Sequence, residues 1–168
     1  MEPQEQAIFS YAKSDVLLEV TKRTSYIGKM RGDKDHADFI ERMSLTEGES
    51  FLSDEMLADA IEQTYEWVQA FGRGVENPYG IDENGNIVFT LQPRNWWDRA
   101  AFGRVERYLK ESLINYIIFR WFEMVNADEA EAYFAKADDY GHKAQLGMNA
   151  ENGNLERRFN TPFNTIFG

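Results

Sequence analysis

Leu113–Val125, LINYIIFRWFEMV, is the stretch on which the fold turns. Ten of its thirteen residues are apolar or aromatic, and at the helical period they point all round instead of along one stripe. Such a helix has to be covered on nearly every side. The rest of the chain is hydrophilic: 29 Asp and Glu against 18 Lys and Arg give a formal net charge of −11. The expectation is a small charged protein organised around one greasy helix, with partner chains as a further source of cover. The stretch is too short to span a bilayer, and it carries Asn115, Arg120 and Glu123.

Working outward from that stretch, the helix extends back through Ile117, Tyr116, Leu113, Leu109, Val105 and Phe102 to a start near Asn95 or Asp98. Pro93 closes the strand before it, Asn86–Gln92 (NIVFTLQ), which is entered through Asn84-Gly85. The hairpin partner falls around Val75–Ile81, where Pro78 demotes it to an edge. Upstream, Ser53 reads as an N-cap, with Asp54 and Glu55 in the first turn and Leu52 and Leu57 spaced as a hydrophobic staple. Leu57, Ala60, Ile61, Thr64, Val68 and Phe71 form the stripe of that helix and Gly72 ends it.

An earlier helix, capped by Ser14 or Asp15, runs to about Arg31 with Val16, Leu17, Val20, Thr24, Ile27 and Met30 at helical spacing. Gly32 followed by Asp33, Lys34 and Asp35 stops it, and Asp38–Met43 has room for one or two helical turns before a loop at Ser44–Glu49. Ala7, Phe9 and Tyr11 alternate like a short strand or arm. Downstream, Asn126 with Glu129 makes a capping-box variant that opens a last helix to about Leu146, with Ala130, Tyr133, Phe134, Ala137 and Tyr140 on its apolar face. The predicted fold is therefore mainly α, a four-helix bundle-like domain over residues 1–148 with one small β-hairpin near 75–92. Residues 149–168 form a C-terminal tail or arm.

At 168 residues the chain is one domain, large enough to bury roughly 70% of its unfolded surface. An aromatic content of 14% argues against disorder of the whole chain. The absence of cysteine excludes disulfides and thiolate metal sites. MEPQEQAIFSYAKSD lacks the basic start and apolar run of a secretory signal. A pI near 4.7 argues against a general phosphate-binding surface but leaves room for a local basic patch.

The search for chemistry returns little. His36 and His142 are far apart in polar surroundings and read as surface residues. GRG at 72–74 lacks the strand, helix and Lys of a phosphate loop. Asp82-Glu83-Asn84-Gly85-Asn86 looks like half a calcium loop, but the twelfth place is Pro93 and Gly stands fourth instead of sixth, so an Asn-Gly turn is the better reading. Asp128, Glu129, Glu131, Asp138 and Asp139 make an acidic face, read as solvated. Arg120 is expected to pair with Glu123 or with a carboxylate on another helix. Lys22, Arg23, Lys29 and Arg31 make the first helix the most basic surface, a candidate partner face beside the plainer reading of a solvated one. Trp96-Trp97 reads first as packing between hairpin and helix and second as an interface or stacking anchor. Phe159, Phe163 and Phe167 belong either to a tail lying back over the body or to an arm that docks into a neighbouring subunit.

The first helix reads Leu18-Glu19-Val20-Thr21-Lys22-Arg23-Thr24-Ser25-Tyr26-Ile27-Gly28-Lys29-Met30. An acidic segment with Phe39, Ile40 and Glu41, the Leu52–Phe71 helix, a hairpin and a helix ending Arg120-Trp121-Phe122 follow. An Ala-rich helix and Thr161-Pro162-Phe163 close the order. This order resembles small proteins of phages and prophages of Bacteroides-type bacteria. The match covers most of the chain, but its distinctive parts are short: a TSY…KM segment, which reads TSYIGKM here, and the Trp-Phe helix end. The resemblance implies a non-enzymatic structural role, that of a head–tail connector, neck or tail-completion component assembling in a ring. It also implies partners among copies of itself and portal or tail subunits, without cofactor, metal, specific nucleic-acid binding or membrane, in the bacterial cytoplasm during assembly and then in the virion. Interface candidates on that reading are Tyr26, Met30, Trp96, Trp97, Phe159, Phe163 and Phe167, since exposed aromatic residues favour interface anchors. The alternative is an acidic regulatory protein that mimics DNA.

Overall fold

The computed structural model describes residues 5–31 and 50–151, with side chains described over 5–27 and 54–151. Strand β1, Ala7–Ala12, buries Ala7, Phe9 and Tyr11 and turns Ile8 and Ser10 outward. It passes without a loop into helix α1, Lys13–Arg31, which buries Val16, Val20 and Thr24.

Helix α2 spans Ser50–Val68 and closes through a 3-10 turn at Gln69–Phe71 before Gly72. Its first residue stands four positions before the one the capping pattern predicted, so Leu52 and Ser53 stand inside it and neither the expected cap nor the staple marks its beginning. Ser, Phe and Leu are all tolerated in a helix, and the preference of Ser for the cap is only about 1 kcal/mol. The apolar stripe is the predicted one, with Leu57, Ala60, Ile61, Thr64 and Val68 buried.

Strands β2, Tyr79–Ile81, and β3, Asn86–Leu91, form the expected hairpin. Asp82 Oδ1 accepts the N–H groups of Asn84 and Asn86 at 2.9 and 2.8 Å, and Gly85 adopts φ +77, the left-handed geometry that an Asn-Gly turn needs. Pro78 sits just before the edge strand, where only its carbonyl is used, accepting from Thr90 N–H at 2.8 Å. β1 pairs with the free side of β3, from Ala7 opposite Leu91 to Ala12 opposite Asn86, so the sheet has three antiparallel strands in the order β1-β3-β2.

Helix α3, Phe102–Val125, follows a 3-10 turn at Arg99–Ala101, where Asp98 Oδ1 caps Ala100 N–H at 3.0 Å. Helix α4, Ala127–Met148, returns antiparallel after the single residue Asn126. The predicted capping box is not formed: the Asn126 side chain makes no cap bond, and its backbone carbonyl accepts Glu129 N–H at 3.1 Å. Asp128 and Glu129 still place negative charge on the positive end of the helix.

α3 lies at the centre, touching α1, α2, α4 and β1. The chain itself covers the stretch that decides the fold: of Leu113–Val125, only Glu123 and Met124 are exposed. Arg120 reaches Asp59 on α2 at 3.3 Å and Glu123 at 3.6 Å, so both anticipated partners are used. The architecture is mainly α with a small antiparallel sheet against the bundle. No helix among the described residues is long and apolar enough to cross a membrane.

Candidate interaction surface

Helical spacing on two antiparallel elements builds one groove. Lys22, Arg23, Tyr26 and Ile27 come from one face of α1, and Glu129, Tyr133 and Lys136 from one face of α4, with Asn115 of α3 between them. The groove has a volume of about 680 Å³. Tyr26, 62% exposed, stands at its lip, and the Lys136 ammonium lies 4.5 Å from the centroid of the Tyr133 ring. In a chain of net charge −11, three cations against Glu129 make this a basic, aromatic-lined pocket.

Arg23 is held in place from α3. Its guanidinium donates to both oxygens of Glu111 at 2.8 and 2.9 Å, and Asn115 Nδ2 donates to the Glu111 carbonyl at 2.7 Å. The bond from Arg23 holds the Glu111 carboxyl below the usual carboxylate range, and the same bond raises Arg23 further. Glu19 lies 3.5 Å from Arg23 and 3.8 Å from Lys22. Arg23 is thus fixed in the wall of the groove, and Lys22 and Lys136 complete its positive lining. Cations beside a π face suit an anionic or aromatic partner group.

A second patch lies at the other end of α4. The Trp97 indole Nε1–H donates to the Gly147 carbonyl at 2.9 Å, drawing the Pro93–Asp98 loop against the helix end. Trp97 itself is buried at 8%, so the two neighbouring tryptophans split: Trp97 is core, which removes it from the interface candidates, and Trp96 remains exposed under the Arg94 guanidinium at 5.3 Å. Leu146, next to Gly147 on α4, is exposed as well. The packing reading is correct for Trp97 because its ring fills the angle between loop and helix that its N–H closes.

The described chain runs past the predicted boundary at 148. Ala150 carbonyl accepts Asp98 N–H at 2.8 Å, and Glu151 bridges Trp97 in antiparallel sense, so the beginning of the presumed tail belongs to the body. Phe159, Phe163, Phe167, His36, the Asp38–Met43 turn and the Met30 side chain lie outside the described residues. His142 is exposed, with its ring edge-on to Trp67 at 5.7 Å. Among the described residues no three His, Cys, Asp or Glu groups come together as a metal site.

Two features escaped the sequence. One is the outer sheet face, where Ile8, Ser10 and Ala12 lie beside Thr90, Val88 and Asn86 without an ionisable group. The alternation of Ala7–Ala12 held that signal, but not the identity of the partner strand. The other is Glu129, which leaves the acidic face of α4 and turns into the groove, while Asp128, Glu131, Asp138 and Asp139 stay exposed. Asp139 accepts from Lys143 at 2.7 Å, which raises the lysine.

No known protein family, curated protein or solved structure matches the chain.

Proposed function

We propose that this protein is a non-enzymatic assembly subunit, and that its setting is the head–tail connector of a phage or prophage particle. One observation carries the assembly role. Exposed surface of different chemistry lies along α4: the basic groove around Tyr26, Tyr133 and Lys136 on its first half, and Leu146 near its end, where the loop that carries the exposed Trp96 is held through Trp97 and Gly147. With Lys136 and Leu146 on one helix at 1.5 Å per residue, the patches are roughly 15 Å apart along its axis. A subunit of a ring needs two unlike surfaces, each fitting the other on the next copy, because a heterologous contact closes by rotation. A self-contained core such as that around α3 leaves those surfaces to the contacts between subunits. The particular setting rests on the order of segments described above. An acidic exterior suits a channel that must not hold DNA.

Electron microscopy of particles formed after deletion of the gene tests this reading. DNA-filled heads without joined tails are expected. Normal infectious particles would overturn the connector role and favour the acidic regulatory alternative.

A further inference from the structure

α3 and α4 carry a second basic surface, beside the Tyr26 groove and sharing its Arg23 wall. On α3, Arg104, Arg107, Tyr108 and Glu111 recur at the helical period, and on α4 Tyr140, Lys143 and Gly147 do the same. The antiparallel return of α4 brings the two stripes together. Tyr108 and Tyr140 meet with ring centroids 6.1 Å apart. The Arg107 guanidinium lies over Tyr108 at 5.1 Å and the Lys143 ammonium over Tyr140 at 5.2 Å, so each ring has its own cation.

Two open clefts adjoin this cluster. One, of about 560 Å³, is lined by Arg23, Arg107, Tyr108, Glu111, Tyr140 and Lys143. The other, of about 290 Å³, adds Arg104 and shares Tyr108 and Lys143 with the first, so the two are continuous. Together they are lined by four cations and one carboxylate, in a chain where 29 acidic residues outnumber 18 basic ones. That carboxylate, Glu111, is taken by Arg23, and Asp139 beside Tyr140 is taken by Lys143. Glu106 and Asp15 face a separate cleft next to β1, opposite Lys110 and the other side of Arg107. Arg104 and Arg107 are both exposed and have no ion pair among the described residues.

We propose that this surface binds single-stranded nucleic acid without regard to sequence. Cations interleaved with aromatic rings match the alternation of phosphates and bases along a strand. An arginine lying over a ring also offers its own planar face to a base. The clefts are open on one side, which suits a strand passing over them better than an enclosed small molecule. An acidic peptide would satisfy the arginines and leave the tyrosines unused. The acidic remainder of the chain repels phosphates, and at about 0.1 M salt that repulsion is screened beyond roughly 10 Å. Contact is therefore confined to about three phosphates at Arg104, Arg107 and Lys143, and the strand is held weakly. The assembly role proposed above uses the Tyr26 groove, and the inference about this surface does not rest on it.

The test is fluorescence anisotropy of a labelled oligothymidylate titrated with the full chain. With about three phosphates engaged, log K should fall against log salt with a slope of about −2, or about twentyfold between about 50 and about 200 mM. Arg107→Glu is expected to weaken binding about tenfold at the lower salt. Arg73→Glu makes the same change of net charge at an exposed position in the turn after α2, and should leave binding within about twofold. Tyr140→Leu should weaken binding several-fold with the salt slope unchanged, since a ring releases no counterions. Circular-dichroism melts of each variant establish that the fold is kept. No binding at the lower salt, equal losses in Arg73→Glu and Arg107→Glu, or full affinity in Tyr140→Leu would overturn the proposal. Displacement of the strand by polyglutamate as readily as by unlabelled oligothymidylate would overturn it in favour of an acidic protein partner.

Discussion

Glu111 is the residue at which charge and architecture meet. It receives both arms of Arg23 across the α1–α3 contact, and its carboxyl is held low by that bond. A depressed carboxylate contributes stability that is fully present above its ordinary value near 4.3 and is lost as pH falls through the lower folded value. Arg23 titrates too far up to matter in that window. Glu111→Gln is thus expected to cost about 1 kcal/mol at pH 7, the size of a good partly exposed pair. Urea melts at pH 7 and pH 3 check this: the difference from the native chain should shrink at the lower pH, and an equal difference at both would remove the ion pair as its cause. Gly141 makes a different residue-scale demand. A Cβ there would collide with the Trp67 ring of α2. Alanine is the better helix former by roughly 1 kcal/mol, yet Gly141→Ala is expected to destabilise by about 1–3 kcal/mol through overpacking. A rise in melting temperature would mean that the indole swings aside freely.

At the scale of elements, the helices were legible because their apolar residues recur at the helical period over long spans. The long stripe of Phe102, Val105, Leu109, Leu113 and Ile117 leaves no other reading, and α3 carries it. Boundaries were less legible where a local preference of about 1 kcal/mol met compatible neighbours, as at Ser53 and Asn126. The position of β1 was not legible, since alternation reveals a strand and a face but not which distant edge it joins. The groove was half legible: Tyr26 and the basic first helix were visible, whereas its other wall depends on how α4 docks. The tryptophan pair gives a direct measurement of this limit. Trp97→Ala should cost about 3–5 kcal/mol in thermal or urea unfolding, as for a large buried ring. Trp96→Ala should stay within about 0.5 kcal/mol of the native chain. Similar losses for both would contradict the division between core and surface at that loop.

At the scale of the whole molecule, the acidic balance of charge and the basic groove around Tyr26 separate solubility from recognition. Repulsion between bodies of like charge opposes indiscriminate association, so assembly has to come from particular patches. Tyr26→Ala is expected to leave the unfolding free energy within about 0.5 kcal/mol while weakening self-association, read by sedimentation at rising concentration or by incorporation into particles. Loss of stability together with association would make Tyr26 a packing residue instead of a contact between subunits.

The pairing of Ala7 with Leu91 has a consequence for how the molecule comes into being. α3 and α4 are joined by one residue and can find each other as soon as both exist, whereas β1 must wait for β3, on the far side of α1 and α2 in the sequence. Closing so long a loop before any ladder bond rewards it is slow. The opening strand of the polypeptide is thus expected to be the last to zip in and the first to let go. In native-state hydrogen exchange its amides should report a cheaper opening than those of Leu113–Phe122.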